Sequence, residues 1–177
     1  MAEQARYLWG PFTRLGLIVA LVACAIDQAA KLWLLFVFRL GSKGTVKVAP
    51  SFDLVLAWNT GISYGWFQQE SPIGQWVLLA IKAFAVIFLW IWLARAGSRL
   101  SAVAIGLIIG GALGNAIDRY AYGAVVDFVL LYIRTANWRF DWYVFNLADV
   151  AIVAGVLFLL YESFRGDHAA KAPRSGP

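Results

Sequence analysis

Four long apolar runs constrain this chain more than any other feature of its sequence. An α-helix rises about 1.5 Å per residue, so about 20 apolar residues are needed to cross roughly 30 Å of hydrocarbon. Runs of this kind extend over residues 15–38, 76–94, 101–117 and 145–164. With 62% apolar and 14% charged side chains in 177 residues, the chain is too apolar for a soluble domain of its size. We therefore predict an all-α membrane protein with four transmembrane helices in a single membrane domain, residues 1–177.

The segments between these runs predict the topology. Four spans place both termini, with the tail 165–177 and the short connection at 95–100, on one side of the membrane. Seven Lys and Arg residues fall on that side and six on the other. Because basic residues are more frequent on the cytoplasmic side, this weak bias predicts that the termini are cytoplasmic. The long segments 39–75 and 118–144 are then extracytoplasmic. Within the first, residues 45–57 are rich in Val, Leu and Phe and are interrupted by Pro50, which predicts a small extracytoplasmic β-rich segment on the membrane surface.

Composition argues against several functional classes. One cysteine, Cys24, and one histidine, His168, are too few for a thiolate zinc site or an intrachain disulfide, so we expect no metal and no cofactor. The net charge of +5 comes from scattered basic residues rather than a stripe, which favours anionic membrane lipids over nucleic acid as the partner. Residues 21–24, LVAC, resemble a lipobox, but the apolar run continues to Phe38, so we interpret Cys24 as an apolar thiol within a full span.

Ionisable side chains inside a membrane span are energetically costly, so each one needs a structural or functional explanation. Asp27 and Lys31 are four residues apart on the first span, hence on one helical face, which predicts a structural ion pair; Asp27 could also brace a nearby site. Lys82 can extend its ammonium toward the interface, so we assign it no role. Small residues at every fourth position of the third span predict close helix packing. They are Ala102, Gly106, Gly110 and Gly114.

Two further aspartates are candidates for chemistry. Asp127 follows the third span in the sequence VVDF, and Asp149 lies about one turn into the fourth span in FNLAD. Two carboxylates close together at a depth where water is scarce resist double ionisation and can share one proton. The ionised member would then deprotonate water while the other polarises a carbonyl group, as in an aspartic peptidase. From spacing alone, helix caps or salt bridges remain the alternative explanation.

The motifs of the chain, taken together, resemble the bacterial lipoprotein signal peptidases, also called type II signal peptidases. The resemblance covers nearly the whole chain, from the first span to the fourth. It rests on five motifs in order: DQAAK at 27–31, NTGISYG at 59–65, GGALGNAIDR at 110–119, VVDF at 125–128 and FNLAD at 145–149.

The resemblance implies a membrane-embedded aspartic endopeptidase with Asp127 and Asp149 as its catalytic dyad. Its substrate would be a prolipoprotein already carrying diacylglycerol on its lipobox cysteine, cut just before that cysteine. The enzyme would act as a monomer in the bacterial inner membrane, with its site near the outer leaflet. Residues implied to shape and orient the site are Asn59, Gly61, Asn115, Asp118, Arg119 and Asn146.

Two positions depart from the family pattern. Val150 stands where Ser is frequent, and residues 141–144 lack the proline that often precedes FN. Neither change removes a proton-transferring group. Two other classes are alternatives, a small proton or ion transporter and a non-catalytic scaffold. A transporter should carry acidic groups across the membrane depth, whereas Asp118, Asp127 and Asp149 cluster near one side.

Overall fold

A computed structural model describes residues 8–61 and 72–171, which form five α-helices and four β-strands. The helices are α1 Thr13–Leu32, α2 Leu40–Lys43, α3 Pro72–Ala94, α4 Arg99–Tyr122 and α5 Leu147–Lys171. A π-helical turn, Trp33–Val37, extends α1. The strands are β1 Val46–Ala49, β2 Phe52–Asn59, β3 Val125–Arg134 and β4 Arg139–Asp141.

Three of these helices are long and apolar enough to cross a membrane. They cover Thr13–Val37, Arg99–Tyr122 and Leu147–Arg165. The chain is therefore an integral membrane protein, and for three of the four predicted spans a helix long and apolar enough to cross a membrane is confirmed. The apolar part of α3 among the described residues, Leu79–Ala94, is shorter, so the fourth span stays a prediction.

Helix α4 packs closely against both α1 and α5, and its small residues explain how. A Cβ atom added to Gly106 would lie 2.4 Å from the backbone oxygen of Gly16 on α1, and one added to Gly111 would lie 2.4 Å from that of Ala148 on α5. The predicted close packing of the small-residue stripe is thus confirmed, with a second small-residue face toward α5. Helix α4 is the central helix between the other two.

Helix α4 is longer than the third apolar run predicted. It continues past Ile117 to Tyr122 and ends at Gly123, whose φ of 72° is a left-handed conformation that favours glycine. Asp118 and Arg119 consequently lie on the last turns of the helix and are buried.

The strands form one antiparallel sheet in the order β1-β2-β3-β4. The predicted β-rich segment is confirmed as β1 and β2, with Pro50 in the turn between them. Strand β3 was not predicted: VVDF belongs to a strand rather than to a loop. Phe128 of β3 packs with Leu34 and Leu40 in a buried cluster that fixes the sheet to the end of α1. The sheet therefore lies beside the helix ends where α1 and α4 finish and α5 begins.

Candidate active site

The backbone of β3 holds the start of α5. Val129 and Phe145 form a β-bridge in which Val129 N donates to Phe145 O at 2.8 Å and Phe145 N donates to Val129 O at 3.0 Å. Phe128 N also donates to Phe145 O, at 3.0 Å. This bridge places Asp127 of β3 next to Asn146, the residue immediately before α5.

Asn146 and Asp149 cap the N-terminus of α5 reciprocally. Asp149 N donates to Asn146 Oδ1 at 3.0 Å, and Asn146 N donates to Asp149 Oδ2 at 3.2 Å. Such a capping box satisfies two backbone donors that the first turn of a helix cannot satisfy itself. Asp27 of α1 satisfies a third, because Ala148 N donates to Asp27 Oδ1 at 2.9 Å. The orientation of the Asp149 carboxylate is therefore fixed by the way in which the helix starts.

Two asparagine side chains connect the two candidate aspartates. Asn146 Nδ2 donates to Asp127 Oδ1 at 2.6 Å and to Asn115 Oδ1 at 3.0 Å. Asn115 Nδ2 in turn donates to Asp149 Oδ1 at 2.9 Å. The remaining oxygen of Asp127, Oδ2, accepts from Asn59 Nδ2 at 3.0 Å. Both carboxylates thus belong to one hydrogen-bond network built from β2, β3, α4 and α5.

The surroundings of Asp127 favour its protonated form. Its side chain is only 2% exposed. Burial, as the largest effect, raises its pKa from the ordinary 3.8 to about 6, with the charge of Asp149 acting in the same direction. The amide donors of Asn59 and Asn146 oppose this rise because they stabilise the carboxylate. Asp127 can therefore hold a proton at a pH at which an ordinary carboxyl group has lost it.

A buried ion cluster supports this network from α1. Lys31 Nζ lies 2.8 Å from Asp27 Oδ2 and 2.7 Å from Asp118 Oδ2, and it donates to Asn115 Oδ1 at 3.0 Å. The predicted pairing of Asp27 with Lys31 is confirmed. The absence of a side chain at Gly114 leaves space for this cluster, because a Cβ atom there would lie 2.6 Å from Asp27 Oδ2.

Asp118 has partners besides Lys31. Gln28 Nε2 donates to Asp118 Oδ1 at 2.8 Å, and Val126 N donates to Asp118 Oδ2 at 3.1 Å. The second contact ties the end of α4 to the strand that carries Asp127. Gln28 lies within the DQAAK motif but was not singled out from sequence, although a polar residue next to Asp27 inside a span was a usable signal.

Arg119 and Gly61 complete the set of predicted residues. Arg119 Nη2 donates to Gly61 O, and Gly61 N donates to Asn59 Oδ1 at 3.0 Å. Arg119 thereby braces the backbone beside Asn59. All the residues implied by the resemblance within the described ranges thus lie together, and Asn59, Asn115 and Asn146 touch an aspartate directly. Residues 62–65 of the NTGISYG motif lie outside the described residues.

The fold and the site together define a class: an integral membrane protein with two networked carboxylates at one end of its helices. A family model described as signal peptidase (SPase) II matches residues 19–165. The lipoprotein signal peptidase of Nitrobacter hamburgensis is 65% identical over 160 residues, which is 90% of this chain and 98% of that protein. The lipoprotein signal peptidase of Rhodopseudomonas palustris strain TIE-1 is 59% identical with the same coverage. The chain belongs to the signal peptidase II family and is therefore a peptidase.

Solved structures show the same fold. A bacterial membrane enzyme determined by the in meso method at 2.3 Å resolution superimposes with a TM-score of 0.69 at 23% identity, covering 92% of this chain and 94% of its own. A second such enzyme, at 1.9 Å resolution, gives a TM-score of 0.62 at 24% identity, covering 84% of this chain and 91% of its own.

Proposed function

We propose that this protein is a membrane-embedded aspartic endopeptidase that removes signal peptides from diacylglyceryl-modified prolipoproteins, cutting before the lipidated cysteine. The observation that carries the aspartic mechanism is the network that joins Asp127 to Asp149 through Asn146 and Asn115. The removal of signal peptides from prolipoproteins is supported by family membership and by the names of the relatives.

In this mechanism the two aspartates have different roles. Both oxygens of Asp149 accept N–H donors, one of them from the backbone at a helix N-terminus, where a negative charge is favoured. Asp149 is then the ionised base that takes a proton from the attacking water. Asp127, whose pKa is raised, keeps its proton and polarises the scissile carbonyl with it, and the proton that Asp149 took from water passes to the leaving amine, which restores both carboxyls to their starting states.

The asparagines keep the carboxylates in place during this exchange. Each amide donor approaches an aspartate oxygen from a fixed side chain, so neither carboxylate has to be reoriented before reaction. Asn59, Asn115 and Asn146 are positioning residues in this proposal, while Asp118, Arg119 and Gly61 hold the asparagines and the backbone around them. Asp27 and Lys31 give structural support from α1.

The proposed topology has four spans, with α3 as the fourth, in a bacterial inner membrane. Both termini are cytoplasmic, and the site faces the outer leaflet. A substrate with a diacylglyceryl anchor is confined to the bilayer surface, where a site at the helix ends can meet it. The protein acts as a monomer in a single membrane domain, residues 1–177, and needs no cofactor.

Cleavage of a synthetic diacylglyceryl lipobox peptide by the purified protein tests this proposal. Asp127→Asn and Asp149→Asn should each reduce turnover by at least about 10³-fold, because an amide can neither accept the proton from water nor return it. Asp141→Asn is the matched control, since Asp141 lies on β4 and contacts Arg139 rather than the site. Near-normal turnover of either site variant would disprove the dyad, and equal cleavage of the peptide without diacylglycerol would disprove the substrate class.

A further inference from the structure

The hairpin formed by β3 and β4 has two chemically different faces. Ile133 is paired directly with Phe140, and Arg134 is paired with Arg139. Paired residues of an antiparallel ladder lie on the same face, and successive residues alternate between faces. Ile133 and Phe140 therefore lie on one face of the hairpin, and the two arginines lie on the other.

The apolar face is mostly aromatic and exposed. The rings of Trp138 and Phe140 are stacked with centroids 5.7 Å apart, and Phe140 contacts Trp142 edge-on at 5.8 Å. Trp138 is 55% exposed and Ile133 is 52% exposed. We call the following set the aromatic face: Leu131, Ile133, Trp138, Phe140 and Trp142. Five large exposed apolar side chains on one face of a short hairpin indicate a surface that contacts something other than water.

The opposite face is charged. Arg139 Nε donates to Asp141 Oδ2 at 2.7 Å, and Arg134 Nη2 lies 3.7 Å from Asp141 Oδ1. The guanidinium of Arg134 also lies over the ring of Tyr132, 4.1 Å from its centroid. An apolar, Trp-rich face backed by a charged one is the arrangement that suits the boundary between acyl chains and headgroups.

The aromatic face is continuous with the outward face of α5. Leu131 and Trp142 line a groove together with Val150, Val153 and Leu157 of α5, and Asp149 lies at the groove too. Val153 and Leu157 are exposed on a helix that is long and apolar enough to span a membrane. Lipid that covers this side of α5 would therefore lie directly beside the aromatic face of the hairpin.

We propose that the β3–β4 hairpin is inserted into the membrane interface, with its aromatic face against the acyl chains of the leaflet that surrounds the start of α5. The arginine-bearing face is turned toward headgroups and water. Lipid then forms one wall of the groove that leads to Asp149. This surface is independent of the chemistry proposed above, since it depends only on the protein's residence in a bilayer.

Fluorescent labels at successive positions along the hairpin test whether its aromatic face contacts acyl chains. Cys24 is the sole cysteine of the chain, so a Cys24→Ser background accepts single labels. Full-length variants Trp138→Cys, Arg139→Cys, Phe140→Cys and Asp141→Cys are labelled with a bimane fluorophore and placed in phosphatidylcholine vesicles. Quenching is measured with lipids that carry a nitroxide high on the acyl chain, and separately with iodide in water. Val153→Cys serves as the lipid-facing reference, and thermal unfolding confirms that each variant is folded.

Labels at 138 and 140 should be quenched by the nitroxide lipid at least about threefold more than labels at 139 and 141, and iodide should reverse that order. Three results would overturn the proposal. Equal iodide quenching at all four positions would place the hairpin in water. Protection of 138 and 140 from both quenchers would mean that protein covers the aromatic face. Nitroxide quenching without alternation would mean that the hairpin is not oriented. None of these measurements uses peptide cleavage, so a failure of this proposal can be distinguished from a failure of the proposed function.

Discussion

The raised pKa of Asp127 should govern how activity depends on pH. That pKa is about 6, and the proposed mechanism needs Asp127 protonated while Asp149 is ionised. We expect kcat/KM to follow a bell, with an acidic limb where both carboxyls are protonated and an alkaline limb centred near pH 6. The alkaline limb of kcat should lie higher than that of kcat/KM, because a bound substrate excludes water and further disfavours the second charge.

The raised pKa of Asp127 also predicts how the free energy of unfolding changes with pH. A folded-state pKa of about 6 against an ordinary 3.8 is a rise of about two units, or about 3 kcal/mol at 1.36 kcal/mol per unit. Because the folded state binds this proton more tightly than the unfolded state, stability is lost as the pH rises from about 4 to above about 6. Asn cannot ionise, so Asp127→Asn should gain up to about 3 kcal/mol relative to the wild type across that interval.

Thermal unfolding in detergent at pH 4–8, with cleavage measured in the same samples, checks both expectations. Asp141→Asn is the control: the hydrogen bond from Arg139 lowers the pKa of Asp141 below its ordinary 3.8, so the stability difference between this variant and the wild type should change little between pH 4 and 8. A constant stability difference between Asp127→Asn and the wild type, together with an alkaline limb that is absent while the protein stays folded, would refute the reasoning.

Two further substitutions probe the supporting network. Asn146→Ala removes the α5 cap and the donor to Asp127, which should cost about 2–4 kcal/mol in unfolding experiments and reduce kcat more than it raises KM. Lys31→Met leaves Asp27 and Asp118 buried without their shared cation and should cost about 3–5 kcal/mol. The double variant Asp27→Asn/Lys31→Met should recover part of that loss, since Asp118 keeps donors from Gln28 and Val126; no recovery in thermal unfolding would contradict the charge argument.

The sequence correctly predicted three apolar helices of spanning length, because hydrophobicity and helix length both depend on neighbouring residues. The helix that carries the third predicted span continues beyond Ile117, where the predicted span ends because the apolar residues end. The helix continues because Asp118 is paired with Lys31 and Arg119 donates to Gly61. Those partners come from distant segments, so a run of neighbouring residues could not reveal that polar positions 118 and 119 would be buried.

Strand β3 illustrates a different limit. Residues 125–134 are mostly apolar and contain several β-branched side chains, so a strand was readable from composition. The sequence does not show the register of β3, in which Asp127 lies opposite Ala57 of β2. It also does not show the bridge between Val129 of β3 and Phe145. That bridge brings VVDF to FNLAD. The motifs identified the candidate aspartates, whereas the contacts between them depend on pairing across long sequence separations.

Because Asp149 belongs both to the proposed dyad and to the α5 capping box, stability and activity are coupled at this residue, and the choice of substitution decides what is measured. Alanine would remove the acceptor for Asn146 N and the acceptor for Asn115 Nδ2 together. Asparagine keeps one acceptor oxygen, so it can preserve one of these bonds while turning its own amide toward the other donor. The expected cost is then about 1–3 kcal/mol of stability, because the NH2 group cannot accept a hydrogen bond from that donor. A loss of cleavage of about 10³-fold at that cost in folding would have to come from the missing carboxylate.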